Sequence, residues 1–301
     1  MTASTPAVQS AQANRGTIFV EEANIIGVRT FPGDQYILRI SAPKTASRAL
    51  PGSFVHIRCD ETIPMRRPLS IMRTNPDEEW IEVLFKVVGD GLKALGARSV
   101  GDQINIIGPI GRGFSVSPER SRPLLIGGGV GIPPMVFLIE HLLKDEHGWQ
   151  PLVIMGSEIP FPFQLTHSDI PTPWLPAGTV STMPLMEQWR VPCRLASLSD
   201  FEGTYRGYVT DLAREWLVTL SPAELGEVEV FACGPTPMLE AVAKLAREFG
   251  LPCQVSLEEF MACAVGGCAG CTVLVHTDDG PAMKRVCVDG PVFTAESVFT
   301  E

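Results

Sequence analysis

Cys263-Ala-Val-Gly-Gly-Cys268-Ala-Gly-Cys271, then fifteen residues, then Cys287, is the stretch that organises the chain. Four cysteines spaced C-x4-C-x2-C with a distant fourth match the plant-type [2Fe–2S] pattern, in which two irons each take two thiolates. Only Ala, Val and Gly separate the first three. Small residues let amide N–H groups approach the sulfurs, and glycine supplies the positive-φ turns of a tight loop. Three other uses of cysteine compete with this one. Paired disulfides suit a small secreted scaffold, and no export signal is visible here. Zinc sites usually show two C-x2-C knuckles or a Cys/His mixture, and only one such pair occurs. Buried structural thiols need no regular spacing. The expectation is therefore a cluster held by Cys263, Cys268, Cys271 and Cys287.

Outward from this loop, 301 residues suffice for two or three domains with their own cores. A net charge of −10 argues against nucleic acid or an anionic membrane as partner, since both require a basic face. No apolar run reaches the length of a membrane span. Residues 1–15 are Ala/Ser/Thr/Gln-rich without an apolar core, and are expected to form a flexible arm. Eight cysteines without an export signal predict a cytoplasmic protein.

Between residues 16 and 118 short alternating strands are expected at Thr17–Val28, Tyr36–Ile40, Ser53–Cys59, Trp80–Val88 and Gln103–Ile107. Their Gly and Pro punctuation predicts a small antiparallel β-barrel. From 119 to 250 strands and helices alternate: Leu124–Ile126 into helix Pro134–Leu143, then Pro151–Met155, then Glu227–Ala232 into helix Pro237–Phe249. That order predicts an α/β domain with a parallel sheet. Residues 251–301 carry the cysteine loop and strands at Thr272–Val275 and Lys284–Val288. The Pro-rich stretch from Phe161 to Val191 reads as an extended loop or lid, or as a surface insertion without function.

Five further segments carry candidate chemistry. Arg67-Pro68-Leu69-Ser70 offers a guanidinium for a phosphate and a hydroxyl for a ring nitrogen; alone it reads rather as an exposed turn after an edge strand. Val88-Gly89-Asp90-Gly91-Leu92 runs from a strand into a helix-like Lys93–Ala97 and would turn backbone amides on a pyrophosphate. It is not a Walker loop, because Ala97 stands where lysine is required. Gly127-Gly128-Gly129-Val130-Gly131 sits between a buried strand and an apolar helix, the context for a dinucleotide diphosphate. Cys233-Gly234-Pro235 follows another strand, where Cys233 either faces a nicotinamide or is a small buried hydrophobe. Gly108-Pro109-Ile110-Gly111-Arg112-Gly113-Phe114 either closes over a bound ring or connects two domains. The five histidines form no catalytic or metal-binding spacing and read as structural or exposed.

In combination, Arg67-Pro-x-Ser70, the Gly-Gly-Gly-Val-Gly turn and Cys233-Gly-Pro-x-Pro-Met-Leu resemble the ferredoxin reductase superfamily. Ser256-Leu-Glu-Glu-Phe-Met-Ala-Cys263 and Val286-Cys287-Val-Asp-Gly-Pro-Val-Phe293 narrow the resemblance to the electron transfer subunits of dihydroorotate dehydrogenase B, from about residue 17 to the end. The resemblance implies FAD on the barrel at Arg67, Pro68, Leu69, Ser70, Val88, Gly89, Gly91 and Leu92. It implies NAD(H) at the glycine turn and Cys233–Pro235, and the cluster on the four cysteines. Three departures stand out: Ala264 where glycine commonly follows the first cysteine, Leu92 where Thr or Ser commonly meets the flavin phosphate, and Ser199-Asp200-Phe201-Glu202-Gly203 in place of an Asp-Asp-Gly-Ser-like turn.

A hydride carries two electrons and a [2Fe–2S] cluster accepts one, a mismatch that a flavin bridges. The expected function is electron passage between NAD(H), FAD, the cluster and a partner flavoprotein, a dihydroorotate dehydrogenase-like catalytic subunit of pyrimidine biosynthesis held in a hetero-oligomer. No side chain is required as a general acid or base. Glu158, past the strand ending at Met155, would favour NADH by repelling a 2′-phosphate. Alternatives are a reductase subunit serving an oxygenase, a hydrogenase or a sulfur-reducing partner, an iron–sulfur redox sensor, and a structural zinc module.

Overall fold

The computed structural model describes residues 16–300; the expected arm at 1–15 lies outside the described residues. The chain enters as β1 (Phe19–Phe31) and β2 (Gln35–Ser41), followed by the short helix α1 (Pro43–Arg48). β3 (Phe54–Arg58), β4 (Arg67–Asn75), β5 (Trp80–Lys86), helix α2 (Gly89–Gly96) and β6 (Gln103–Ile110) follow. The six strands close into a barrel in the order β1-β2-β5-β4-β3-β6, every pair antiparallel. Residues alternate between its two faces. Ile81, Val83 and Phe85 of β5 fill the interior, while Leu84 faces outward and is buried by the neighbouring domain. β5 therefore reads as a continuous apolar run, broken by Glu82, which is buried but meets Arg39 at 2.9 Å and Arg29 at 3.0 Å.

Next come β7 (Arg122–Gly128), helix α3 (Ile132–Leu142), β8 (Leu152–Gly156) and the two-residue strands β9 (Thr166–His167) and β10 (Ser181–Thr182). α4 (Pro184–Gln188), β11 (Cys193–Ser197), β12 (Tyr205–Arg206), α5 (Val209–Leu217) and α6 (Pro222–Leu225) continue the chain. β13 (Val228–Cys233), α7 (Thr236–Glu248) and β14 (Cys253–Ser256) complete the parallel part. β15 (Thr272–Thr277) and β16 (Gly280–Arg285) form a hairpin, and β17 (Val292–Thr294) leads into α8 (Ala295–Val298). The large sheet runs β12-β11-β8-β7-β13-β14-β17, parallel throughout except for β17. The tail thus returns to the sheet it left.

α3 joins the two units. It is apolar on nearly every side because it is buried on nearly every side. Phe137 enters the barrel core, while Met135, Val136 and Ile139 pack under the sheet. Its one acid, Glu140, takes Arg73 of β4 at 2.7 Å and also accepts from the Thr74 amide. The Pro-rich stretch is not a loose insertion. Phe161, Leu175, Met183, Met186 and Val191 are buried, Gln35 of the barrel donates to the Pro160 carbonyl, and the buried Arg194 donates to the Ile170 carbonyl.

Candidate functional site

The first cluster of candidate residues lies on the barrel's outer surface. Arg67-Pro-Leu-Ser70, which alone reads rather as an exposed turn, instead opens β4 and pairs with β3. Its guanidinium is brought to the start of α2: a Cβ built on Gly91 would stand 3.0 Å from Arg67 Nη2. Gly89 has φ +74 with nothing within 4 Å of its missing side chain. A cation and the N-terminus of an eight-residue helix thus meet at one place, with bare Cα atoms between them. This donor set fits a pyrophosphate. Val88 beside it is exposed, and Ser70 keeps a hydroxyl with no hydrogen bond among the described residues. Leu69 and Leu92 point instead into the barrel core. Leu92 packs in the core and offers no donor, which leaves Arg67 and the amides at the start of α2 as the donors at this place.

The second lies at the carboxyl ends of β7 and β13, where Gly127 pairs with Cys233. Gly131 cannot carry a side chain, because a Cβ would sit 2.2 Å from the Cys233 carbonyl oxygen; Gly128 and Gly234 both press on Met238. Gly129 (φ +54) faces open space at the entry to α3. The two turns therefore form one crevice floor, the switch-point position for a dinucleotide. Cys233 is 1% exposed, and burial, reinforced by the Glu258 carboxylate, holds its thiol far above the ordinary range. It is an inert wall of the crevice. Glu258 stands exposed at the rim, its carboxyl raised where neighbouring protein displaces water from it. Sequence reasoning passed over Glu258, since nothing but β14 leads it there. Glu158 is exposed just past β8, its carbonyl accepting from Ser199 Oγ.

The third is the cysteine loop, which folds over the outer face of β3 and β6 by packing Met261, Ala264, Cys271, Val286 and Cys287 on Phe54 and Ile110. The thiols come in two pairs. The Cys268 amide donates to Cys263 Sγ, and Cys271 Sγ lies 3.3 Å from Cys287 Sγ. Among the described residues no group of three or more His, Cys, Asp or Glu is disposed to hold a single ion. Two pairs are what a dinuclear cluster asks for. Burial alone would raise the Cys263 thiol, yet the amides of Val265, Cys268 and Gly267 and the Cys268 thiol draw it down to about 7. Burial and contact with Cys271 push Cys287 up to about 12. The loop is bent through left-handed residues at Ala264 (φ 57), Gly266 (φ 84) and Ala269 (φ 54), so alanine occupies two positions where glycine costs less. A cavity of about 890 Å³ opens beside Cys287, bounded by Arg48, Arg112 and Arg285 and by no carboxylate. Gly111 and Arg112 connect the barrel to the sheet and hold the tail, the Arg112 amide donating to the Gly290 carbonyl. That stretch connects the two units and also lines the cavity.

Comparison with known proteins follows the same geometry. Residues 258–299 match the iron–sulfur cluster binding domain of dihydroorotate dehydrogenase B. Over 287 residues the chain is 30% identical to the dihydroorotate dehydrogenase B (NAD(+)) electron transfer subunit of Desulforamulus reducens, covering 94% of this chain and 99% of that one. It is 33% identical over 251 residues to the corresponding subunit of Caldanaerobacter subterraneus, covering 83% and 87%. Among solved structures, NADH-dependent reduced ferredoxin-NADP oxidoreductase, studied for flavin-based electron bifurcation, superposes with a TM-score of 0.73 at 28% identity over 92% of this chain and 90% of that one. The ferredoxin reductase of carbazole 1,9a-dioxygenase shares the fold, with a TM-score of 0.60 at 21% identity, covering 78% and 67%.

Proposed function

The chain belongs to the family of dihydroorotate dehydrogenase B electron transfer subunits, and from that premise we propose that it passes electrons between NAD(H), FAD, a [2Fe–2S] cluster and a catalytic flavoprotein that oxidises dihydroorotate. One observation carries the reading: three sites of different chemistry lie along one chain, with the flavin motif of β4 directly cross-strand from the β3 residues that the cysteine loop covers. In this reading residues 16–118 bind FAD, 119–250 bind NAD(H) and 251–301 hold the cluster.

Each site's residues have a defined task. Arg67 and the amides at Gly89–Gly91 would hold the flavin pyrophosphate, and Ser70 would offer its hydroxyl to the ring. Gly127–Gly131 and Cys233–Pro235 seat the dinucleotide, and Cys263, Cys268, Cys271 and Cys287 ligate the irons. When bound, the flavin supplies the conversion between two-electron and one-electron transfer. The chain contributes binding, orientation and potential, with no side chain required as general acid or base. Among the described residues no helix is long and apolar enough to cross a membrane. Anaerobic addition of NADH should bleach a flavin band first and a cluster band second. A flavin that stays oxidised would remove the account. Co-purification of a dihydroorotate-oxidising flavoprotein identifies the partner; recovery of an oxygenase or hydrogenase component would replace it.

A further inference from the structure

Four of the five histidines, His141, His147, His167 and His276, lie on the surface. His56 does not. It is wholly buried on β3, and neither ring nitrogen has a hydrogen-bond partner among the described residues. A buried polar group left unpaired is costly enough to need an explanation.

Its place in the fold supplies one. Val55 and Ile57 point into the barrel, so Phe54 and His56 between them point outward. On that outer face Phe54 packs with Met261, Cys271 and Cys287. Across the ladder, His56 is paired with Pro68 and Phe54 with Ser70. Directly opposed residues of an antiparallel pair share a face, with Cβ atoms about 4.5–5.5 Å apart. The imidazole is therefore one strand from the flavin motif and under the segment that leads into Cys263.

The charges around it are few. From the β3–β4 connection comes Arg66, from the first position of β4 Arg67, and from β6 the cross-strand neighbour is Ile107, which carries none. From the tail the main chain at Met261 meets it. Burial first, then Arg66 and Arg67, keep the ring neutral, lowering its pKa to about 4, while main-chain groups of Arg66 and Met261 stand ready to favour the protonated form. An added negative charge on the tail side would tip this balance.

We infer that His56 is the proton site of the flavin–cluster junction: its imidazole takes up one proton from solvent when the adjacent cluster gains one electron, and releases it when that electron leaves. The electron comes from the reduced flavin. One N–H bond forms as one O–H bond of a hydronium ion breaks, leaving water, and the added proton offsets the added charge. The inference rests on the cofactor assignment above, and the visible spectrum separates the two: a preparation without flavin and cluster bands overturns that assignment, before His56 is tested.

The test is an EPR-monitored redox titration of the cluster in the full chain at a series of pH values. In the wild type the midpoint potential should fall as pH rises, by up to about 59 mV per unit, the one-electron equivalent of a tenfold change. His56→Gln keeps the size and polarity of the site but cannot titrate, and should flatten the slope. A purely structural role would displace the potential without changing its slope. A flat wild-type profile, or an unchanged slope in His56→Gln, overturns the inference. Should His56→Gln fail to hold its cluster, infrared redox-difference spectra of wild-type protein labelled with 15N-histidine decide. Imidazole bands that shift on reduction support proton uptake, and their absence defeats it.

Discussion

Ala269 and Ala264 both sit at positive φ in the cysteine loop, but they pay differently for it. A left-handed conformation costs a non-glycine residue about 1–2 kcal/mol, partly offset by the freedom glycine adds to the unfolded chain. Ala269 is exposed and has no burial to lose, so Ala269→Gly should stabilise the cluster-loaded protein by about 0.5–1 kcal/mol. Ala264 is 1% exposed, and loss of its methyl contact, worth about 0.8 kcal/mol, should cancel the gain in Ala264→Gly. Thermal melting of the two variants checks the difference in sign. Thiol reactivity divides the cysteines as sharply. Burial raises Cys59 and Cys193 to about 11 and Cys253 to about 12, whereas Cys263 is drawn to about 7 and Cys268 is exposed. With iron removed, brief alkylation near neutral pH should label Cys263 and Cys268 first, because the thiolate is the nucleophile. Peptide mapping that finds Cys193 or Cys253 labelled equally fast would contradict the burial seen here.

At the scale of elements, the glycine turns make predictions that differ in kind. Gly89→Ala meets open space and should lose only the backbone cost, about 1–2 kcal/mol. Gly91→Val drives a branched side chain into the Arg67 guanidinium and should weaken FAD binding at least tenfold, measured by fluorescence of the released flavin. Gly131→Ala collides with the main chain at Cys233, which cannot yield, and should disrupt the crevice and destabilise the fold together. The glycines and cysteines were legible in the sequence because their chemistry is local. The strand status of Arg67–Ser70 was not, since Pro68 and two flanking arginines resemble a turn until β3 pairs with them. Pro-rich composition likewise hid the burial of Phe161, Met183 and Met186, which is decided by the sheet they cover. Cys193–Ser197 carries a buried arginine, an unlikely strand until its partners β8 and β12 are known. His56 read as an ordinary histidine because its isolation depends on a segment two hundred residues away.

For the whole molecule the question is whether the cysteine-bearing tail is a detachable module. A chain ending at Ser256 keeps every flavin and nucleotide residue named from the sequence, and loses Glu258 at the crevice rim. It nevertheless loses β17 from the edge of β14, and loses the cover over Phe54 and Ile110, which are 4% and 0% exposed. Each such side chain is worth about 1.5–3 kcal/mol when buried, so roughly 3–6 kcal/mol should go, a drop in Tm of about 10 °C. Flavin binding and reduction by NADH should survive at low temperature. A chain ending at Gly250 also loses β14. That uncovers β13, whose six residues Val228–Cys233 are all buried, as an unpaired and apolar edge. Such edges recruit other chains, and this form should aggregate rather than fold. A wild-type Tm for the Ser256 truncation would show the tail to be an independent appendage. The predicted loss would instead mean that the barrel, the sheet and the cysteine loop are one cooperative body, in which Cys271 and Cys287 also seal the barrel wall at Phe54 and Ile110.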